Sequence, residues 1–299
     1  MLVNNRASHS VRAKRRRTGA AMLAVVVLCV VALLSGCSSA PATLTILPPG
    51  VTVSVFQNRS DYAPRHLEVQ VHNSSASTVT LRSGSFTSVY FTRSVAMHYV
   101  PYDLAPGDEV AFPVYLPTAA CDKPAPAPRV TLRFTSKAGS GSATVTPSVL
   151  YHALAEIHAH DCAMETFESV VKISPGTKVT WSRDANGALI SYLPLTLTPT
   201  GAGGSVTLKG IDDTTLLLMS LNTSYPLVLS AKSAPLQLTL RATPSRCETH
   251  VLSEDKIGTV VPFHVITKKY PNGYFGIVLS KTLKFEYYHY FSLACGYAG

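Results

Sequence analysis

Residues 67–81 read LEVQVHNSSASTVTL. Leu67, Val69 and Val71 alternate with polar residues, Asn73-Ser74-Ser75 interrupts, and the alternation resumes over 78–81. Successive side chains of a pleated strand leave opposite faces, so period-two alternation marks half-buried antiparallel strand. Asn and Ser mark turns because their short side chains bond to nearby backbone. The stretch reads as strand, turn, strand. Upstream, Val51, Val53 and Val55 alternate in the same way. Downstream, residues 85–91 form a further strand. Leu104-Ala105-Pro106-Gly107-Asp108 then turns the chain into a strand over 110–116. Residues 123–128 are a Pro/Ala connector, and strands over 130–135 and 142–146 form a hairpin around 137–141.

LEVQVHNSSASTVTL, followed by YDLAPGDEVAFPVYL at 102–116, resembles bacterial immunoglobulin-like modules over residues 51–135. The resemblance implies an antiparallel β-sandwich. It carries over no functional residue, because fold alone does not specify function.

The period then changes. Leu150, Leu154 and Ile157 are spaced i, i+4, i+7, which predicts a short amphipathic helix before Cys162. The second half repeats the plan. Strands are expected over 167–173, 179–182, 188–198, 205–209, 215–219, 227–229 and 236–240, with a hairpin around Pro271-Asn272-Gly273. Leu150, Leu154 and Ile157 stand 12, 8 and 5 residues before Cys162; Leu283, Tyr287 and Tyr290 stand 12, 8 and 5 before Cys295. This register indicates a duplication. Residues 281–293 also alternate as a strand would, and Gly296 as a helix C-cap favours helix. The fold class is therefore all-β: two immunoglobulin-like antiparallel β-sandwich domains, each ending in a short helix and closed by one disulfide. The repeat selects the pairs Cys121–Cys162 and Cys247–Cys295, each worth roughly 4 kcal/mol by loop closure.

Ahead of this body lies a leader. Arg6, Arg12, Lys14, Arg15, Arg16 and Arg17 precede an apolar run over 20–34. The run is shorter than the ~20 residues of a transmembrane helix, so a secretory signal fits better. Leu34-Ser35-Gly36-Cys37 resembles the lipobox of bacterial lipoproteins, which implies a diacylglyceryl group on Cys37 and cleavage before it. The expected organisation is a signal peptide over 1–36, a lipidated tether over 37–50, and sandwiches over 51–165 and 166–299. The expected location is the extracytoplasmic face of the cell membrane. The chain has 26 Lys+Arg and 17 Asp+Glu; with the six leader cations removed, the balance is 20 against 17, or +3. That excess, with no basic stripe, gives no ground for nucleic-acid binding. Cys121, Cys162, Cys247 and Cys295 lack CxxC spacing and read as structural disulfides in an oxidising compartment.

Candidate chemistry is sparse. No catalytic residues are selected by spacing, there is no GxSxG, and no cofactor is implied. The densest polar stretch holds Arg246, His250, Glu254, Asp255 and Lys256, a candidate surface for an envelope protein or glycan and, in a rival reading, a hydrolase using His250 with Glu254 or Asp255. His152, Glu156 and His160 at i, i+4, i+8 form a candidate metal or small-ligand stripe on the first helix. Phe285, Tyr287, Tyr288, Tyr290 and Phe291 read as second-core packing or a contact face.

Overall fold

The Asn-Ser turn and the Pro-Gly turn meet on one side chain. Asn73 is fully buried. Its Nδ2 donates to the carbonyls of Ser77 (3.0 Å), Leu104 (2.9 Å) and Ala105 (3.2 Å), and its Oδ1 accepts from the Ser75 backbone (3.0 Å) and hydroxyl (2.6 Å). Its own backbone N–H donates to the Asp108 carbonyl at 2.9 Å, and its carbonyl accepts from Gly107 at 2.7 Å. Gly107 has φ +87°, a conformation that favours glycine. These contacts appear in a computed structural model that describes residues 43–122, 127–255 and 259–297.

The first sandwich comprises β1 (Val51–Phe56), β2 (His66–Asn73), β3 (Val79–Thr87), β4 (Val95–Ala96), β5 (Tyr102–Leu104), β6 (Glu109–Tyr115), β7 (Arg129–Ser136), β8 (Gly139–Val145) and β9 (Ser148–Val149). Its sheets run β6-β2-β1-β9 and β4-β3-β7-β8, with β5 also on β3. Helix α1 (Ala153–Glu168) follows. The second sandwich comprises β10 (Val171–Pro175), β11 (Thr180–Arg183), β12 (Leu189–Pro199), β13 (Ser205–Ile211), β14 (Leu217–Leu221), β15 (Leu227–Ser230), β16 (Leu236–Pro244), helix α2 (Thr249–Glu254), β17 (Val260–Ile266), β18 (Gly273–Val278) and helix α3 (Lys281–Ala294). Its sheets run β10-β12-β16-β14 and β15-β13-β17-β18. The two halves share the runs β6-β2-β1 and β16-β12-β10 in one sheet and β3-β7-β8 and β13-β17-β18 in the other, and differ at an edge, where β9 flanks β1 but β14 flanks β16. Each is closed by the expected disulfide, Cys121–Cys162 and Cys247–Cys295.

Helix α3 starts at Ser280, whose hydroxyl accepts from Leu283 N–H at 3.3 Å. It stops at Gly296 (φ +73°), with Gly296 N–H to Leu293 and Tyr297 N–H to Ser292. Leu283, Tyr287, Tyr290 and Phe291 face the second core. Burial raises the hydroxyl pKa of both buried tyrosines, that of Tyr290 to about 12. Tyr290 Oη reaches the carbonyls of Leu189 (2.8 Å) and Ala242 (3.0 Å). Tyr287 Oη has no partner among the described residues.

Several expectations change. The strand read over 78–81 and the start of the one read over 85–91 are one continuous β3, carried across Arg82 by a shift of register between Leu81 and Ser83; residues 88–91 lie beyond its end. The first helix is long, 16 residues, and contains Cys162. Leu150 lies ahead of it in a short 3-10 turn, where Tyr151 and His152 take left-handed backbone angles. Phe167, read as the start of a strand, lies in α1. The expected boundary at 165/166 thus falls inside this helix. Ala153, Leu154 and Ile157 are buried in the first core; Ala163 and Phe167 are buried in the second.

The Asn73 network makes a specific prediction. Asn73→Ala removes the buried donor of the Leu104 carbonyl and the bonds that tie both turns together, while the Ser77 and Ala105 carbonyls keep Ser75 Oγ and Asp108 N–H, and it lowers stability by about 2 kcal/mol in urea unfolding. A loss under about 0.5 kcal/mol contradicts the role assigned to this side chain.

Candidate functional site

Helix α1 forms one wall of a cavity. Its Ala163–Phe167 half packs against β18 and β10, with the Phe167 and Phe275 rings 5.5 Å apart. Its other half and the preceding turn lie against β1. A clamp holds the helix to the first sandwich. Both guanidinium Nη atoms of Arg65 donate to the Asp161 carboxylate, and Nη2 also donates to the Pro117 carbonyl at 3.1 Å. Arg65 reaches there from a left-handed backbone position (φ +57°). The loop before it is braced by Gln57 Nε2 donating to the His66 carbonyl (2.8 Å) and by Asn58 N–H donating to the Asp61 carboxylate (2.8 Å). On the other side, Lys269 donates to the Cys121 carbonyl and to the Asp122 carboxylate.

Between these braces is a cavity of about 410 Å³. The first sandwich contributes Gln57, Tyr62, Arg65 and Leu116 to its wall. One side is α1, through Ile157, His160, Asp161, Met164 and Glu168. The opposite side is Ile173 of β10 with Val260 and residues 274–278. Aliphatic side chains form much of the surface, and the polar groups sit on α1, the 57–65 loop and Tyr274 of β18. This volume lies in the range of small-ligand or peptide side-chain pockets.

Charged and titratable groups of the cavity wall are paired or shifted by burial. Asp161 is paired with Arg65. The His160 ring stands 4.8 Å from that of Tyr274. Burial pulls the His160 imidazole below its ordinary 6.5, against the opposing influence of Glu156 and Asp161. Burial raises the Glu168 carboxyl, with Lys172 opposing. Burial, with Asp212 and Tyr62, raises the Tyr274 hydroxyl.

Of the candidate ligand and surface residues picked from sequence, His160 alone among the described residues lines this cavity. His152 precedes α1 in a left-handed conformation and is exposed, so the i, i+4, i+8 helical spacing does not start at it. Glu156 is exposed. Among the described residues, the one group of three close candidate metal ligands is Cys121, His158 and Cys162, whose two sulfurs form a disulfide. His158 stacks on Tyr90 at 4.2 Å and brings Nε2 to 3.4 Å from Cys162 Sγ. The polar stretch holds a six-residue helix, α2, pinned by Val251, which is fully buried in the second core. His250 and Arg246 are exposed beside it. Asp255 is turned inward, where it accepts from the Tyr288 hydroxyl at 2.9 Å, a contact that raises the tyrosine's pKa along with burial. Glu254 ends α2, Lys256 lies outside the described residues, and so does Cys37. The cavity as a whole is not legible in sequence: its lining comes from six separated segments, and apart from His160 none of them belongs to a pattern that sequence singles out as a site.

No protein-family model matches the chain, and no curated protein matches it. Among solved structures, an exo-chitosanase of Amycolatopsis orientalis is 12% identical over 77% of this chain, with a TM-score of 0.19. The chain spans 26% of that enzyme's length. A chaperone–tip adhesion subunit complex of Acinetobacter baumannii Csu pili is 9% identical over 77% of this chain and 100% of the other, with a TM-score of 0.17. A secreted serine protease of Vibrio cholerae is 16% identical over 67% of this chain and 44% of its own, with a TM-score of 0.18. Likeness at this level carries no argument about function.

The buried imidazole makes stability depend on pH. In the unfolded chain His160 takes up a proton near 6.5; in the folded chain it does so only at lower pH. Between the two values the unfolded state binds more protons, so stability falls as pH drops through 6.5 and levels off once folded His160 also titrates. His160→Phe should flatten this part of the stability–pH curve; an unchanged slope contradicts the assignment.

Proposed function

We propose that this chain is a membrane-anchored extracytoplasmic lipoprotein that acts as a binding module of the cell envelope. The observation that carries the binding half is the 410 Å³ cavity, held between two disulfide-closed sandwiches by α1 and the Arg65–Asp161 clamp. Rigid walls lower the ordering cost of binding. Two disulfides fit an oxidising compartment outside the cytoplasm. The anchoring half rests on sequence: Cys37 closes a lipobox-like stretch six residues before Thr43, where the described body begins. Two acyl chains on that sulfur hold a protein far more firmly than one.

One experiment tests both halves. A photo-crosslinking residue replaces Met164 in the cavity wall, with Cys37 intact or changed by Cys37→Ala. The expected result is a membrane-pelleted protein with a discrete adduct, and Cys37→Ala protein that leaves the pellet. A Cys37→Ala protein that stays in the pellet contradicts the anchor; no adduct from position 164 contradicts the binding site.

A further inference from the structure

The cavity is lined by a strand edge whose backbone groups can be assigned. Asp212 N–H donates to the Pro262 carbonyl at 3.3 Å, which turns Pro262 toward β13. Leu279 N–H donates to the Thr259 carbonyl at 3.0 Å, which turns Thr259 toward β18. Hydrogen-bonded and non-hydrogen-bonded pairs alternate along an antiparallel ladder. Both anchors therefore give the same pattern: Val261–Ile277 and Phe263–Phe275 are hydrogen-bonded pairs, while Val260–Val278, Pro262–Gly276 and His264–Tyr274 are not. The N–H and C=O groups of Tyr274, Gly276 and Val278 thus point away from β17. β18 ends its sheet, so they face an open edge. Helix α1 crowds the Gly273 end of that edge: a Cβ on Gly273 would lie 3.2 Å from Ala163 Cβ. The other end is open, with Val278 47% exposed.

The first sandwich shows what such an edge accepts. β8 ends the equivalent sheet, and its edge is occupied by this chain's own extended segment. Leu44 lies parallel to β8 opposite Gly141, donating to the Ser140 carbonyl at 3.0 Å and accepting from Ser142 N–H at 2.8 Å. The approach is close: a Cβ on Gly141 would fall 2.2 Å from the Leu44 carbonyl oxygen. Leu44 stands seven residues before β1. Seven residues before β10 is Met164, which lies in α1. The second copy has used the corresponding segment as helix, and among the described residues no strand of this chain pairs with the outer edge of β18.

We propose that the cavity receives an extended polypeptide segment of a partner protein, added in parallel to the open edge of β18. One of its residues lies opposite Ile277, donating its N–H to the Gly276 carbonyl and accepting from Val278 N–H, as Leu44 does on β8. Main-chain bonds of this kind supply affinity, and pockets for alternate side chains supply specificity. The lining of Leu116, Met164, Ile173 and Ile277 selects an aliphatic residue at the central position. This inference rests on the cavity being the binding site.

Val278→Pro tests it, because proline removes the edge donor without removing a bond to β17, a position where strands tolerate proline. A displayed library of random nonapeptides is selected against the full-length protein in detergent. Enriched peptides should alternate aliphatic and polar residues, bind Val278→Pro at least tenfold more weakly, and slow amide exchange at Gly276 and Val278 in the unaltered protein. Failure to enrich any peptide, or peptides that leave those two amides unprotected, overturns the proposal. The exchange readout needs no variant, so it decides even if Val278→Pro misfolds. An adduct from position 164 without peptide binding overturns the strand-addition inference alone; loss of both removes the binding reading too.

Discussion

The structure depends on one helix buried in two cores. Leu154 and Ile157 complete the first sandwich, and five residues beyond Cys162 Phe167 completes the second. Burying a large apolar side chain contributes on the order of 1.5–3 kcal/mol, so neither sandwich can release α1 cheaply. The Arg65–Asp161 pair adds direction more than energy: it fixes the rotation of the helix, and so which side chains face the cavity. Cys121–Cys162 then ties the same helix to the connector after β6. Everything that shapes the cavity follows from where α1 lies.

This arrangement breaks the symmetry of the duplication. In the second half, α3 packs wholly on its own core through Leu283, Tyr287, Tyr290 and Phe291. In the first half, α1 is a terminal element and also the opening element of the next sandwich. The edge that Leu44 covers in the first copy is consequently left to a helix and a cavity in the second. Departure from the repeated run of β3-β7-β8 and β13-β17-β18, at the edge of that run, is the physical reason to place function there.

The sandwich plan was legible because each strand carries its own alternation, and the disulfide pairing because the repeat fixes the spacing of both cysteine pairs. Asn73 was legible as a turn residue, but not as the buried junction of two turns, since that needs the approach of residues 104–108. Helical periodicity identified an apolar face on α1 without revealing that its two ends serve different cores; Phe167 matched a strand pattern equally well. Asp255 looked like surface charge because sequence does not show Tyr288 donating to it. The cavity was invisible for a simpler reason. Leu116, Met164 and Ile277 are unremarkable apolar residues until α1 brings them together.

The central claim is that α1 makes the two sandwiches one cooperative unit. Native-state hydrogen exchange on Asn73→Ala tests it directly, since that change touches only the first sandwich. Shared burial of α1 predicts that amides of β17 and β18 lose protection together with those of β2 and β6. Loss confined to the first sandwich, with β17 and β18 unchanged, would contradict it.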